Sequence, residues 1–296
     1  IVGCVTPAII VSGAVSGGGM SQGDKVILIQ AALFVSAIST LLQLFPLGSK
    51  SGFHIGSSLP VIMGVSFAYV PSMQAIAEGY GVAAIFGAQI VGGIVALVMG
   101  LLVRQIRVFF PPLITGTVVF TIGLSLYPTA INYMAGGVGS ENYGDWQNWL
   151  VAFFTLAVVT ALNHFGKGIC KLASILIGII AGYIVSIPFG MVDLTSVGEA
   201  GAFQLPQFMH FGVEFEISSC VAIGILFAIN SVQAIGDYSA TTIGSMNRTP
   251  KDRELQNGIV AYGLSNILSA VFGCLPTATA VSYTHLRAHE TVLDLV

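Results

Sequence analysis

The chain has 296 residues, of which 55% are hydrophobic and only 8% charged, with a formal net charge of −3. Soluble domains carry about 25% charged residues, so this composition cannot furnish a water-facing surface, and the small net charge gives no footing for a nucleic-acid partner. The apolar residues fall in runs of about 20, the length of a bilayer-crossing helix, and not in the alternating stretches of about 10 that build a β-barrel.

Taken from the N-terminus, hydropathy predicts about nine membrane segments, at 1–16, 26–47, 57–74, 82–103, 108–131, 148–165, 170–192, 217–243 and 256–274. The first is apolar, with no basic leader and no initiator Met, and is expected to begin partway into a span. The third is broken by Pro60, Gly64 and Pro71, which predicts an interrupted helix. Alternate loops carry Lys50, then Arg104 and Arg107, then Lys167 and Lys171, then Arg248, Lys251 and Arg253. The opposite loops hold Lys25 as their one basic residue, beside Asp24, Glu78, Glu141, Asp145, Asp193, Glu199, Glu214 and Glu216. Lys and Arg accumulate on the cytoplasmic side, so the first set faces inward and the first segment runs outward. The expected location is the cell (plasma or inner) membrane, with multiple passes through the bilayer.

Several features read as packing. Cys4, Cys170, Cys220 and Cys274 are scattered singly, as small apolar residues. Gly178 and Gly182 form a small-xxx-small pair suited to close helix contact. The stretch Gly18 to Lys25 imitates a phosphate-binding loop, but Asp24 stands where its Lys belongs and no strand precedes it. No nucleophile–base pair or metal-ligand constellation appears, so neither an enzyme nor a cofactor site is expected.

Asp237 is the one acid within the predicted spans, and polar residues crowd around it: Asn230, Ser231, Gln233, Tyr238, Ser239, Thr241 and Thr242. A carboxylate in hydrocarbon costs at least about 2.5–3.5 kcal/mol and by default marks a substrate or ion path. Gln233 lies one helical turn before Asp237, so the two stack on one face. Together they offer an amide and a titratable carboxyl, which suits a planar hydrogen-bonding solute moved with a proton or sodium ion. Two blander readings stand beside this one: a helix that ends near Gly236 and leaves Asp237 at the interface, and a Gln233 that only bonds a neighbouring helix. A faint internal echo adds a second pointer. Gly56 to Pro60 (GSSLP) opens the broken third segment, and Gly273 to Pro276 (GCLP) opens what would be the tenth. Transporters with inverted repeats place matching broken segments at a midplane site.

These residues resemble a known family. Residues 233–242 (QAIGDYSATT) are similar to the eighth-helix motif of the nucleobase–ascorbate transporters, the second type of nucleobase–cation symporter. Residues 56–69 (GSSLPVIMGVSFAY) resemble their third segment, and 257–265 with 272–279 resemble their ninth helix and the start of the tenth. The resemblance implies an all-α polytopic membrane protein, a fragment of a fold of seven plus seven inverted segments, with short strands in broken segments three and ten. It implies core segments at 1–103, gate segments at 104–192, an extracellular crossover loop at 193–216, and a return to the core at 217–280. By position, Gln233, Phe67, Ala68, Tyr69, Thr277 and Ala278 would bind a nucleobase of xanthine, urate or uracil type, the last two through backbone amides. Asp237 would couple a proton or sodium ion, the more so because Gln233 stands where the family often has Glu. A homodimer in the bilayer is the assembly considered. The nearest rival is an anion transporter of sulfate type on the same plan, which calls for basic residues or helix N-termini aimed at the anion.

The resemblance stops near Ala280. Residues 281–296 are polar where a site-lining segment is expected, and Ser282 to Thr291 read as translated sequencing-adapter sequence. His285 and His289 find no third ligand, so no metal site is expected there. The fragment as given is expected to be inactive.

Overall fold

The computed structural model of the chain describes residues 2–15, 20–48, 54–106, 117, 120, 121, 123–137, 140, 142–167, 169–192 and 207–279. In chain order the elements are helix α1 (Val2–Gly13), α2 (Gln22–Leu44), strands β1 (Leu47–Gly48), β2 (His54–Ile55) and β3 (Met63–Val65), a 3-10 turn (Phe67–Tyr69), α3 (Val70–Gly79), α4 (Val82–Leu101) and α5 (Val103–Ile106). There follow α6 (Tyr127–Met134), α7 (Trp146–Phe165), α8 (Ile169–Leu172), α9 (Ser174–Ser186), α10 (Ile217–Met246), α11 (Asp252–Val271) and strand β4 (Thr277–Thr279). Among the described residues, four helices are long and apolar enough to cross a bilayer: Gly23–Leu44, Val82–Leu101, Trp146–Phe165 and Ile217–Ile243.

The third predicted span is interrupted: Pro60 lies in a tight turn closed by the Val61 N–H on the Leu59 carbonyl at 2.7 Å, Gly64 falls in β3, the 3-10 turn follows, and Pro71 starts α3 in its first turn, where its missing N–H does no harm. The predicted 170–192 span divides at Ala173, whose φ −93° and ψ 10° leave the helical region. The predicted 108–131 span lies largely outside the described residues, and 281–296 lies wholly outside them.

Side chains close the helix ends. Ser21 Oγ accepts the Asp24 N–H at 3.1 Å to start α2. The Glu216 carboxylate caps α10 by accepting the N–H groups of Ser218 at 3.0 Å and Ser219 at 2.6 Å, and these bonds hold its carboxyl below the usual range. Asn247 ends α10 in the left-handed region, at φ 53°. At the start of α11, Glu254 accepts the Lys251 N–H at 2.8 Å and pairs with Arg248 at 2.7 Å.

The described residues separate into two compact units, one drawn from Ile1–Leu124 and Pro206–Val296, the other from Ser125–Leu205. In the first, α4 packs against both α10 and α11. Glycines make these contacts close. A Cβ on Gly92 would strike the Phe227 ring of α10, and one on Gly263 would lie 2.8 Å from the Gly93 carbonyl oxygen and 2.9 Å from the Leu97 nitrogen. Small residues of this kind let helix backbones approach where lipid removes the usual hydrophobic drive. Strands β3 and β4 form an antiparallel ribbon that pairs Met63 with Thr279, Gly64 with Ala278 and Val65 with Thr277. Each strand is approached through a glycine turned to positive φ, Gly56 at +124° and Gly273 at +66°. A Cβ on Gly56 would strike the Leu42 carbonyl.

In the second unit α7 packs on α9 through the small-residue pair read from the sequence. A Cβ on Gly178 would run into Val159, and one on Gly182 into Thr155. Most other side chains of α9 are exposed, Ile184 at 59% among them.

Candidate functional site

Helix α10 runs unbroken through Met246, and Asp237 within it is only 3% exposed. The helix therefore does not end at Gly236, and the carboxyl sits inside the bundle. Its partner comes from far along the chain: the Thr279 hydroxyl of β4 donates to a carboxylate oxygen of Asp237. Much of the polar crowd in α10 is turned back on its own helix. The hydroxyls of Ser231, Ser239, Thr241 and Thr242 donate to the carbonyls four residues earlier, at 2.6–2.8 Å. Such back-bonding spends the hydroxyl hydrogen on the helix itself, so these groups have no free hydrogen to donate to a ligand.

Gln233 behaves differently. Its Oε1 is buried and accepts no hydrogen bond, so this oxygen does not glue the bundle. A buried acceptor without a donor costs about 1–3 kcal/mol, and a ligand N–H would recover that. Both β4 and the 3-10 turn pack against α10, which brings three of the predicted stretches together on one helix.

The individual residues of those stretches differ in what they leave available. Phe67 and Ala68 are half-buried, and the Ala68 N–H donates to Ser66 Oγ at 3.2 Å. Tyr69 is fully buried: its hydroxyl bonds that of Tyr262 at 2.5 Å, and its ring lies 4.9 Å from that of Phe227. Thr277 has its N–H engaged by Asn266 Oδ1 at 2.8 Å. Ala278 pairs with Gly64 at the centre of the ribbon. The ribbon is extended on one side by the Ser66 N–H, which donates to the Pro276 carbonyl at 3.0 Å.

Sequence reasoning singled out Thr277 and Ala278 but passed over Thr279, Asn266, Thr40 and Gln43. Thr40 Oγ1 on α2 accepts the Met63 N–H at 3.0 Å and so holds β3. Gln43 Nε2 donates to the Gly258 carbonyl at 3.0 Å while Oε1 accepts the Ser57 N–H at 3.1 Å, tying α2 to α11 and to the chain leading into β3. Thr40, Gln43 and Asn266 are each an amide or hydroxyl inside an apolar run, which is the one sign of them in the sequence. Among the described residues no group of three His, Cys, Asp or Glu side chains converges as a metal site would require.

Bilayer-length apolar helices enclosing a buried carboxyl define a multi-pass membrane protein. The chain belongs to the permease family: the family model Xan_ur_permease, described as "Permease family", matches residues 1–283. It is 36% identical to the uric acid permease PucK of Bacillus subtilis over 276 residues, covering 93% of this chain and 62% of that protein. It is 35% identical to the xanthine permease of the same organism over 260 residues, covering 87% of this chain and 58% of that one. The chain thus spans about six-tenths of the length of these curated relatives. Among solved structures, it shares its fold with the transmembrane domain of the cyanobacterial bicarbonate transporter BicA. The TM-score is 0.60 over 98% of this chain and 80% of that one, at 19% identity, which shows the fold alone.

Proposed function

We propose that the protein is a secondary active transporter that takes up a nucleobase of xanthine, urate or uracil type together with a proton or sodium ion. The observation that carries this reading is the Gln233–Asp237 pair: an unpartnered buried amide oxygen one turn from a buried carboxyl, on the helix where β4 and the 3-10 turn pack. A purine or pyrimidine ring presents N–H donors and carbonyl acceptors in one plane, and the Gln233 oxygen is suited to receive such a donor. Relatives named as uric acid and xanthine permeases support the substrate class. Asp237 is assigned to the coupling ion, and Phe67, Ala68, Thr277 and Ala278 to the walls of the base site. Tyr69 belongs to the same turn but spends its side chain on Tyr262 and Phe227. The division into a core (1–103 and 217–280), a gate (104–192) and a crossover loop (193–216), the inverted repeat with its strands in segments three and ten, and a homodimer are parts of the same proposal.

The rival reading is an anion transporter, since the shared fold includes a bicarbonate carrier. Helices α4 and α10 contain no Lys or Arg to meet a small inorganic anion, which favours a solute held by hydrogen bonds. The test is accumulation of radiolabelled xanthine, urate and uracil by permease-deficient cells that express a full-length protein containing this chain. Asp237→Asn should abolish uptake against a gradient while leaving binding measurable. Concentrative uptake that survives this substitution would remove Asp237 from coupling, and saturable uptake of sulfate or bicarbonate in place of a base would overturn the substrate class.

A further inference from the structure

Strand β4 is only three residues long and pairs with an equally short β3. A two-stranded ribbon of this size has little stability of its own, so its position is decided by what grips its edges. Asn266 of α11, fully buried, grips β4. Its Oδ1 accepts the Thr277 N–H at 2.8 Å and faces the Thr277 hydroxyl at 3.4 Å, while Nδ2 donates to the Thr277 carbonyl at 3.0 Å and the Tyr262 carbonyl at 2.9 Å. An amide has two donor hydrogens and two acceptor lone pairs, and all of them are spent here. Toward Thr277 the side chain does what a third strand would do, meeting both the N–H and the carbonyl of one residue. The backbone of Asn266 is fixed in turn, because Gln89 Nε2 of α4 donates to its carbonyl at 3.1 Å. Thr277 and Thr279 lie two apart on a strand and share a face, and Thr279 is the residue whose hydroxyl reaches Asp237.

We infer that Asn266 is a positioning residue for Asp237: by clamping Thr277 it sets where Thr279 delivers its hydroxyl to the carboxyl. Thr40 holds the opposite strand at Met63, whose N–H its hydroxyl accepts at 3.0 Å and whose carbonyl it faces at 3.3 Å, so the two clamps together seat the ribbon. The role matters for transport only if Asp237 is the coupling group proposed above. The positioning itself can be read without transport.

The readout is the infrared carboxyl band of Asp237 in the full chain reconstituted in nanodiscs, assigned by subtracting the spectrum of Asp237→Asn. Thr279→Ala removes the donor and defines the full displacement of that band. Asn266→Ala should displace it in the same direction by at least about half as much, and the double variant no further than Thr279→Ala alone, because coupled residues do not add. Asn266→Thr keeps one hydroxyl and serves where the alanine variant does not fold; it should give a smaller displacement of the same sign. A band that stays put in a folded Asn266 variant, or displacements that simply add, would overturn the inference and leave Asn266 as a structural amide. Failure of uptake in every protein, parent included, with the band coupling intact, would sink the transport reading and leave the positioning role standing.

Discussion

Helices α9 and α11 are an instructive pair because their exposure inverts their composition. Helix α9 (SILIGIIAGYIVS) has no charged residue, yet Ile175, Leu176, Ile179, Ile180, Tyr183 and Ile184 are all exposed. Helix α11 begins DRELQN and holds Asn257, Ser265, Asn266 and Ser269, yet these four are buried along with most of its length. In water this would be an inside-out protein. In a bilayer it is the expected order, since lipid solvates apolar side chains and the interior is where polar groups find one another. The contrast separates the parts of the chain that face hydrocarbon or other protein segments from the part where polar side chains are gathered inside.

The strongest way to break the comparison is to force α11 away from α4. Gly263→Val would set a side chain against the Gly93 carbonyl and the Leu97 nitrogen, both backbone atoms that no rotamer can relieve. A loss of about 3 kcal/mol or more is expected, seen as a collapsed monodisperse peak in size-exclusion chromatography. A near-parental melting temperature would mean that the two helices are not in this contact.

On α9 the matching test is Ile180→Lys, at a side chain 52% exposed. An exposed position facing water tolerates such a change within about 0.5 kcal/mol, whereas one facing hydrocarbon should lose about 2.5–3.5 kcal/mol of insertion free energy. A glycosylation-mapping insertion assay on this segment distinguishes the two. Unimpaired insertion would place Ile180 against a polar partner instead.

Within the polar interior, Gln233 and Asn266 make a finer contrast, since one amide keeps a vacant oxygen and the other spends every group. Gln233→Ala should weaken nucleobase binding by about 1–3 kcal/mol with a small effect on folding. Calorimetric or scintillation-proximity affinity measurements decide it, and an unchanged affinity would remove Gln233 from the base site.

The smallest effect concerns the exposed end of α11. Burial tends to raise the Glu254 carboxyl, but the Arg248 guanidinium and the Lys251 N–H outweigh it and hold the group below the usual carboxylate value. A lowered folded value means stability that is present above the ordinary carboxylate range and lost as pH falls through the folded value. Glu254→Gln should therefore cost about 0.5–1 kcal/mol near neutral pH, with the difference in melting temperature disappearing in acid. A pH-independent difference would assign the effect to the helix cap and not to the ion pair.

Much of this molecule is legible in its sequence. Bilayer-length runs marked α2, α4, α7 and α10, Pro60 and Pro71 marked the interruption before α3, and Asp237 stood out as the one acid in the predicted spans. Gly178 and Gly182 were read as a packing face, and they meet Val159 and Thr155. The physical reason is that a bilayer imposes one rule per residue, apolar or accounted for, and that rule acts locally along the chain.

What tertiary structure alone decided are the partners. Nothing in the neighbourhood of Asp237 announces Thr279, because that contact exists only where β4 packs on α10. Asn266 looks like a lapse in an apolar run until it is seen holding both backbone groups of Thr277. Tyr69 looks like a site residue from its position in the turn, and its side chain is turned instead to Tyr262 and Phe227. Composition and period settle which residues must leave the lipid. Which of those residues satisfy one another depends on pairings across more than 200 residues of chain, such as Met63 with Thr279, and these form only when the ribbon closes.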